Sequence, residues 1–211
     1  MNLEAPAGAR LVLARHGQTI ANVHHVLDTL PPGPGLTELG TRQALTLAER
    51  LGEEKIAAIH ASRARRAQET AAPLARRLGL PVEIAEGTHE IGAGDYEGRG
   101  DPEAMGVFED VYRRWQLGEL DVRMPGAQTG REVLTRFLDS ARSTLDGVSG
   151  GAIVLVSHGA MLRMVGQHLA ANVTGEMADA VHLPNTGLIV LDADPDAATG
   201  WTCTTWDGLD L

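Results

Sequence analysis

Short apolar runs recur along the chain at strand length, and each is followed by a stretch with helical spacing. Arg10–Ala14, Ile56–His60, Val82–Ala85, Ala152–Ser157 and Leu188–Asp192 are rich in Val, Ile and Leu and predict strands. Between and after them, Leu36–Glu54, Arg63–Leu78, Arg131–Leu145 and Ala160–Ala171 predict helices. In the first helix Thr37 is the expected N-cap, and Leu39, Leu45, Leu47, Ala48 and Leu51 form the expected apolar face. Pro73 is expected to bend or interrupt the second. Strands alternating with helices imply an α/β fold, a single-domain three-layer α/β/α arrangement around a mostly parallel central sheet. Ligands in such sheets gather at the carboxyl ends of the strands.

At 211 residues the chain fits one domain, residues 1–211, which can bury about 70% of the surface of its unfolded form. There is no internal repeat and no low-complexity tract. Residues 85–130 break the pattern: a Gly-rich start, EIGAGDYEGRGDPEAMG, and mixed aromatic and Arg content predict loops and short helices over one sheet edge. Substrate selection is expected in this cap region. DTLPPGPGLTELG, with three prolines and three glycines, predicts a rigid surface loop leading into the first long helix.

A formal net charge of −10 argues against nucleic acid or an anionic membrane as partner, since the averaged field repels both. Seventeen of the eighteen basic residues are Arg, with Lys55 the single Lys, so Arg is a compositional habit of this chain and an isolated Arg says little. Cys203 is alone, which leaves no internal disulfide and no thiolate cluster for zinc. No His pair has helical HxxxH spacing and no carboxylate cluster has ligand spacing, so neither a metal nor any other cofactor is expected. The start, MNLEAPAGAR, lacks the pattern of a secretory signal, and no stretch has the length of a membrane span. A cytoplasmic location is the resulting expectation, with a homodimer left open.

Two strand ends carry the same dipeptide. Arg15-His16-Gly17 follows LVLA, and Ser157-His158-Gly159 follows IVLV, which puts two His-Gly pairs at the carboxyl edge of a parallel sheet. One such pair reads simply as the end of a strand; two at one edge read as a site. Glycine after each His permits a sharp turn and close approach of a ligand to backbone. A third strand runs into SRARRAQETA, where Ser62 is the expected helix cap and one of Arg63, Arg65 and Arg66 is expected to turn inward, Arg66 best of the three. Two guanidinium groups beside an imidazole favour its neutral, nucleophilic form.

RHGQT followed by AN, LTELG, S-x-x-x-R-A-x-x-T-A, E-I-x-x-G-D-Y-E-G and finally SHG resembles, in order, the histidine phosphatase superfamily in its phosphoglycerate mutase-like branch. The resemblance runs from Leu11 to about Leu191. It implies a phosphoglycerate mutase-like fold, a small phosphorylated substrate and His16 as the nucleophile that takes up the phosphoryl group. It also implies that Arg15, Arg66 and His158 bind the phosphoryl oxygens with Asn22, and that Glu90 protonates the leaving oxygen. Gly17 and Gly159, beside the two histidines, complete the expected substrate-binding set. The chain departs from the family pattern at Gln18, Ala64 and Glu69, and Pro125-Gly126-Ala127-Gln128-Thr129 replaces a P-G-G-E-S pattern.

The expected activity is metal-independent hydrolysis of a phosphomonoester through a phosphohistidine. The alternative is a cofactor-dependent phosphoglycerate mutase, for which the 67 residues between Glu90 and His158 leave little room for the Arg- and Tyr-rich lid of that class. A silent phospho-ligand binding module would need neither nucleophile nor acid. Asp95 and Glu97 are substitutes should Glu90 not be the acid. Arg113, Arg114 and Arg123, with Tyr112 and Trp115 beside them, are candidates for reading a second anionic group, and His24 and His25 for lining the pocket. His60 and His182 are expected to be structural, His168 to lie in a helix, and His89 to fit either role.

Overall fold

The strand-length runs assemble into one sheet, and the helical segments cover both of its faces. In the computed structural model, which describes residues 2–148 and 150–211, the elements are β1 (Arg10–Arg15), α1 (Ile20–His24), α2 (Glu38–Arg50), β2 (Ile56–Ala61), α3 (Arg65–Leu78), β3 (Val82–Ile84), α4 (Pro102–Gln116), α5 (Gly130–Leu145), β4 (Ala152–Ser157), α6 (Gly159–Leu169), α7 (Gly175–Asp179), β5 (Leu188–Ala193) and β6 (Trp201–Trp206). The strand order is β3-β2-β4-β1-β5-β6. The first four strands in that order pair in parallel, and β5 and β6 continue the sheet antiparallel. The three-layer, mostly parallel α/β fold expected from the pattern is therefore present.

Alternation along the central strands sorts side chains by size. Leu11, Leu13, Ile153, Leu155, Ile189 and Leu191 pack with α4, α5 and α6 around Phe137, Trp115 and Met161. Val12, Ala14, Val154, Val156, Leu188 and Val190 face α2 and α3, whose contact residues include Ala67, Ala71 and Ala75. Small side chains on both partners let α2 and α3 lie close to the sheet, and this brings Arg66 at the start of α3 to the site.

Several elements differ from the sequence expectation. The cap region contains one long helix, α4, with Asp101 as N-cap and Pro102 in its first turn; Gly106 within it obscures the periodicity. The buried face of α2 is Gly40, Ala44, Leu47 and Ala48, while Leu39 and Leu45 are exposed. The close approach of the turn after β1 selects the glycine and alanine face. Thr37 caps α2 as expected, its Oγ1 accepting from the Gly40 amide at 3.0 Å. Ser62 is not the cap of α3; Ala64 stands there and Ser62 is fully buried at the site. α3 continues through Pro73, which is half-buried. β6 was not legible, because WTCTTW alternates without the aliphatic run seen in the other strands.

The turn after β1 rests on α2 and α3. Gly17 N–H donates to Thr70 Oγ1 at 2.9 Å, Gln18 N–H to Gln43 Oε1 at 2.9 Å, and Thr37 N–H to the Gln18 carbonyl at 2.9 Å. A Cβ on Gly17 would lie 2.6 Å from the Gly40 carbonyl oxygen, and a Cβ on Gly40 would run into the Gln18 backbone. Overpacking of this kind costs about 1–3 kcal/mol. Gly40→Ala is therefore expected to lower the urea unfolding midpoint and to displace the turn that carries His16. An unchanged midpoint would mean that the turn yields freely.

Candidate active site

Four chain segments meet at the carboxyl edge of the sheet. β1 delivers Arg15 and His16, β4 delivers His158, the start of α3 delivers Arg66, and the loop ending at Ile91 delivers Glu90. His16 N–H donates to the Ser157 carbonyl at 3.0 Å, so the β1–β4 ladder extends one residue past the strand. The rings of His16 and His158 stand edge to face with centroids 5.2 Å apart.

His16 Nδ1 lies 2.7 Å from the Gly17 carbonyl oxygen. A carbonyl only accepts, so Nδ1 carries the proton and Nε2 keeps its lone pair. Burial, together with the Arg66 and Arg15 guanidinium groups, holds the ring well below the usual histidine pKa. Burial is the larger cause, beyond the two cations anticipated from sequence.

A cavity of about 250 Å³ opens in front of this ring, lined by Arg15, His16, Asn22, Arg66, Glu90 and Gly159 at its inner end. Its outer part adds Val26, Leu27, Met105, Phe108 and Tyr112 as apolar wall, with Asp28, Glu109, Arg163 and His182 as charged or polar groups. Arg15 donates through Nη1 to the Leu183 carbonyl at 2.6 Å and to His182 Nε2 at 2.9 Å, while its Nε is buried without a protein partner. Arg66 is 2% exposed; it donates from Nη1 to Asp28 Oδ2 at 3.2 Å and from Nη2 to the Asp28 carbonyl at 3.1 Å. Asn22 accepts at Oδ1 from the Thr19 amide at 3.0 Å and from Asn185 Nδ2 at 3.3 Å, which leaves its own amide group as donor.

Glu90 completes the amino end of α6, which has no side-chain cap of its own. Its Oε1 accepts from the Ile91 and Met161 amides, both at 2.9 Å, and its Oε2 from Ala160 at 3.3 Å. Arg136 on α5 fixes the same loop, donating to the carbonyls of Gly87, His89 and Glu90. Burial lowers the Arg136 pKa to about 10, with Glu90 opposing. Nothing in the sequence marked Arg136, which sits in an ordinary amphipathic helix; the buried backbone turn that it serves is visible only in three dimensions.

Two of the expected substrate contacts are altered. Gly17 does not line the cavity, because its amide is committed to Thr70, and its glycine is required by the approach of Gly40. His158 is fully buried behind the cavity wall. It receives a hydrogen bond from Arg66 Nε at Nδ1 (3.3 Å) and faces Ser62 Oγ with Nε2 at 2.7 Å. In this arrangement it positions Arg66, and a contact with a phosphoryl oxygen requires it to exchange one of these bonds. Gly159 does line the cavity, and a Cβ there would lie 3.0 Å from Arg15 Nε.

The cap arginines are elsewhere. Arg113 pairs with Asp179, Arg114 with Glu119 and Arg123 with Glu132, and none of the three arginines lines the cavity. On α4 the inward positions are Met105, Phe108 and Tyr112, and Trp115 is buried with Nε1 donating to the Val122 carbonyl. His24 and His25 are exposed and also outside the lining, since α1 turns them to solvent. Asp95 and Glu97 are not in the lining either; Glu97 accepts from Thr29 and Leu30 instead. Among the departures from the family pattern, Gln18 Oε1 accepts from Thr37 Oγ1, Glu69 holds Leu36 and Arg65, and Thr129 caps α5. His182, expected to be structural, lines the cavity.

The histidine phosphatase superfamily (branch 1) matches residues 11–207. The chain is 34% identical over 210 residues, 92% of its length, to a PE-PGRS family protein of Mycobacterium tuberculosis, of which it spans 36%. It is 28% identical over 192 residues to a metal-independent phosphoserine phosphatase of Arabidopsis thaliana, covering 85% of this chain and 79% of that protein. Among solved structures, a mycobacterial glucosyl-3-phosphoglycerate phosphatase with VO3 superimposes with a TM-score of 0.79 at 26% identity, covering 94% of this chain and 98% of that one. The chain spans 36% to 52% of the length of the mycobacterial curated relatives it matches.

Burial depresses the pKa of His16, His158 and His89, the last to about 4. An unfolded histidine titrates at about 6.5, so below that pH the unfolded state binds more protons than the folded one and stability falls with pH. The contribution is complete above pH 6.5 and is lost towards pH 4 as His89 becomes charged in the fold. The thermal midpoint is expected to drop steadily from pH 6.5 to 5, above the range of ordinary carboxylates, and to drop less in His89→Gln. A flat profile in that interval would contradict neutral buried histidines.

Proposed function

The chain belongs to the histidine phosphatase superfamily, branch 1, and on that premise we propose that it is a metal-independent phosphomonoester hydrolase working through a phosphohistidine at His16. The observation that carries this reading is the His16 Nδ1 contact to the Gly17 carbonyl, which leaves a neutral imidazole with Nε2 as the free nucleophilic atom. A cavity that presents two guanidinium groups and a carboxyl group beside that ring supports it.

In the proposed reaction the Nε2 lone pair forms a bond to phosphorus as the ester P–O bond breaks. Arg15 and Arg66, with the Asn22 amide, hold the phosphoryl oxygens while charge moves onto them. Glu90 gives its proton to the departing alkoxide. Oε2, whose single amide contact is the longer one, is the oxygen that carries it. Water then attacks the phosphohistidine, Glu90 takes up the water proton, the N–P bond breaks and phosphate leaves. His158 keeps Arg66 in place behind the nucleophile.

Two measurements test these assignments. Rapid-quench labelling with 32P-substrate is expected to trap a base-stable, acid-labile phosphoprotein that is lost in His16→Ala; turnover near the parent level in that variant would remove His16 from the reaction. Glu90→Gln is expected to slow an alkyl phosphate by about 10²–10⁴-fold while leaving an activated aryl phosphate far less affected. Equal losses on both would exclude Glu90 as the proton donor.

A further inference from the structure

The cavity is electrically lopsided. On the Arg66 side a carboxylate, Asp28, already faces the guanidinium. On the Arg15 side the neighbours are His182, Arg163 and Glu90, whose carboxyl group is held by the amides that open α6, and Arg163 forms no ion pair among the described residues. Its guanidinium lies over the Tyr112 ring, 4.9 Å from the centroid, and Nη1 donates to the Val181 carbonyl at 2.8 Å, with a longer 3.5 Å contact to that of Ala178. Those anchors hold the plane and leave the edge formed by Nε and Nη2 without a protein acceptor. His182 receives the Arg15 N–H at Nε2, so its proton is on Nδ1, which also has no protein partner.

Arg163, His182, Tyr112 and Glu109 are shared between the cavity and an adjoining surface hollow, which Asp110 and Asp179 also line, Asp179 being paired with Arg113 rather than with Arg163. The cap arginines Arg113, Arg114 and Arg123 all have carboxylate partners. In a chain with net charge −10, a half-buried arginine braced by an aromatic face and two carbonyls, with one donor edge free, has the form of a binding group.

We propose that Arg163, with His182, is a second anion subsite that takes a carboxylate carried by the leaving group of the phosphomonoester. The free Nε–Nη2 edge matches the two oxygens of a planar carboxylate, and the apolar wall of Met105 and Phe108 suits the short carbon chain between the two anionic ends. Glu109, exposed at the mouth, limits the subsite to one such group. This inference rests on the hydrolase reading, since it names the substrate class of that same cavity.

The test compares 3-phosphoglycerate with glycerol 3-phosphate, which differ by carboxylate against hydroxymethyl, in the parent, Arg163→Met and Arg163→Lys. Methionine keeps packing against Tyr112 and lysine keeps the charge. The parent is expected to favour the carboxylate ester, and the ratio of the two kcat/KM values is expected to fall about 10–100-fold in Arg163→Met, with Arg163→Lys in between. A ratio that is the same in all three proteins, with glycerol 3-phosphate still hydrolysed, would overturn the subsite and leave the hydrolase standing. Calorimetric binding of the same pair to His16→Ala and to His16→Ala/Arg163→Met separates the two readings. If nothing is turned over but the carboxylate ester binds more tightly and loses that advantage with Arg163, the hydrolase reading fails and the subsite survives. Equal affinities would overturn the subsite whatever the turnover.

Discussion

The lateral pairing of β1 with β4 is the constraint on which the site depends. Arg10 pairs with Ala152 and Arg15 with Ser157, so two parallel strands of equal length start together and end together. His16 and His158 are each the first residue past those ends, and the bond from His16 N–H to Ser157 keeps the register through the turn. A slip of one residue would invert every side chain between the two faces. It would press Leu13 and Leu155 against the alanine face of α3 and carry one histidine away from the other. The register that sorts large from small side chains is thus the register that juxtaposes the two rings.

Gathering cations at this edge has a cost, and the fold meets it with backbone carbonyls. Arg15, Arg66 and Arg136 all have their pKa lowered by burial. Arg15 is met by the Leu183 carbonyl, Arg136 by three carbonyls of the loop before Ile91, and Arg66 by both the carbonyl and the carboxylate of Asp28. A guanidinium tolerates this treatment because it remains protonated after a substantial fall in pKa, and its several donors reach several carbonyls at once. Lysine in these places would surrender its charge much more readily. The Arg habit of the composition, which carried no weight in the sequence, finds part of its use here.

Most of the sheet and the heart of the site were legible. Aliphatic runs mark β1, β2, β3, β4 and β5 because buried parallel strands cannot be anything but apolar, and a His-Gly at two such ends is an unusual way to close them. Arg66 was separable from Arg63 and Arg65 because only one of the three can face the sheet. What escaped was whatever depends on a partner distant in sequence. α4 hides behind Gly106, β6 lacks aliphatics, Arg136 serves a loop 46 to 49 residues away, and His182 meets Arg15 across 167 residues. The cap arginines illustrate the same limit from the other side: their neighbours Asp179, Glu119 and Glu132 decided their direction, and only Glu119 is close enough in sequence to have been paired with its arginine in advance.

One buried nitrogen in the cavity bears on how such a site would accelerate a reaction. Arg15 Nε is buried with no protein partner, and the glycine at 159 keeps the space beside it clear. A phosphoryl oxygen placed there accepts from a donor whose position the fold already fixes. That contact strengthens as charge collects on the equatorial oxygens, so the gain is larger in the transition state than in the bound ground state, and only such a difference raises the rate of the chemical step. The same reasoning separates the two arginines on either side of His16. Arg66 meets a phosphate with the second hydrogens of Nη1 and Nη2 while the first ones stay on Asp28, whereas Arg15 meets it with an Nε that no protein acceptor shares. On the proposed chemistry, Arg15 Nε is therefore the donor whose whole capacity is directed at the transferring phosphoryl group.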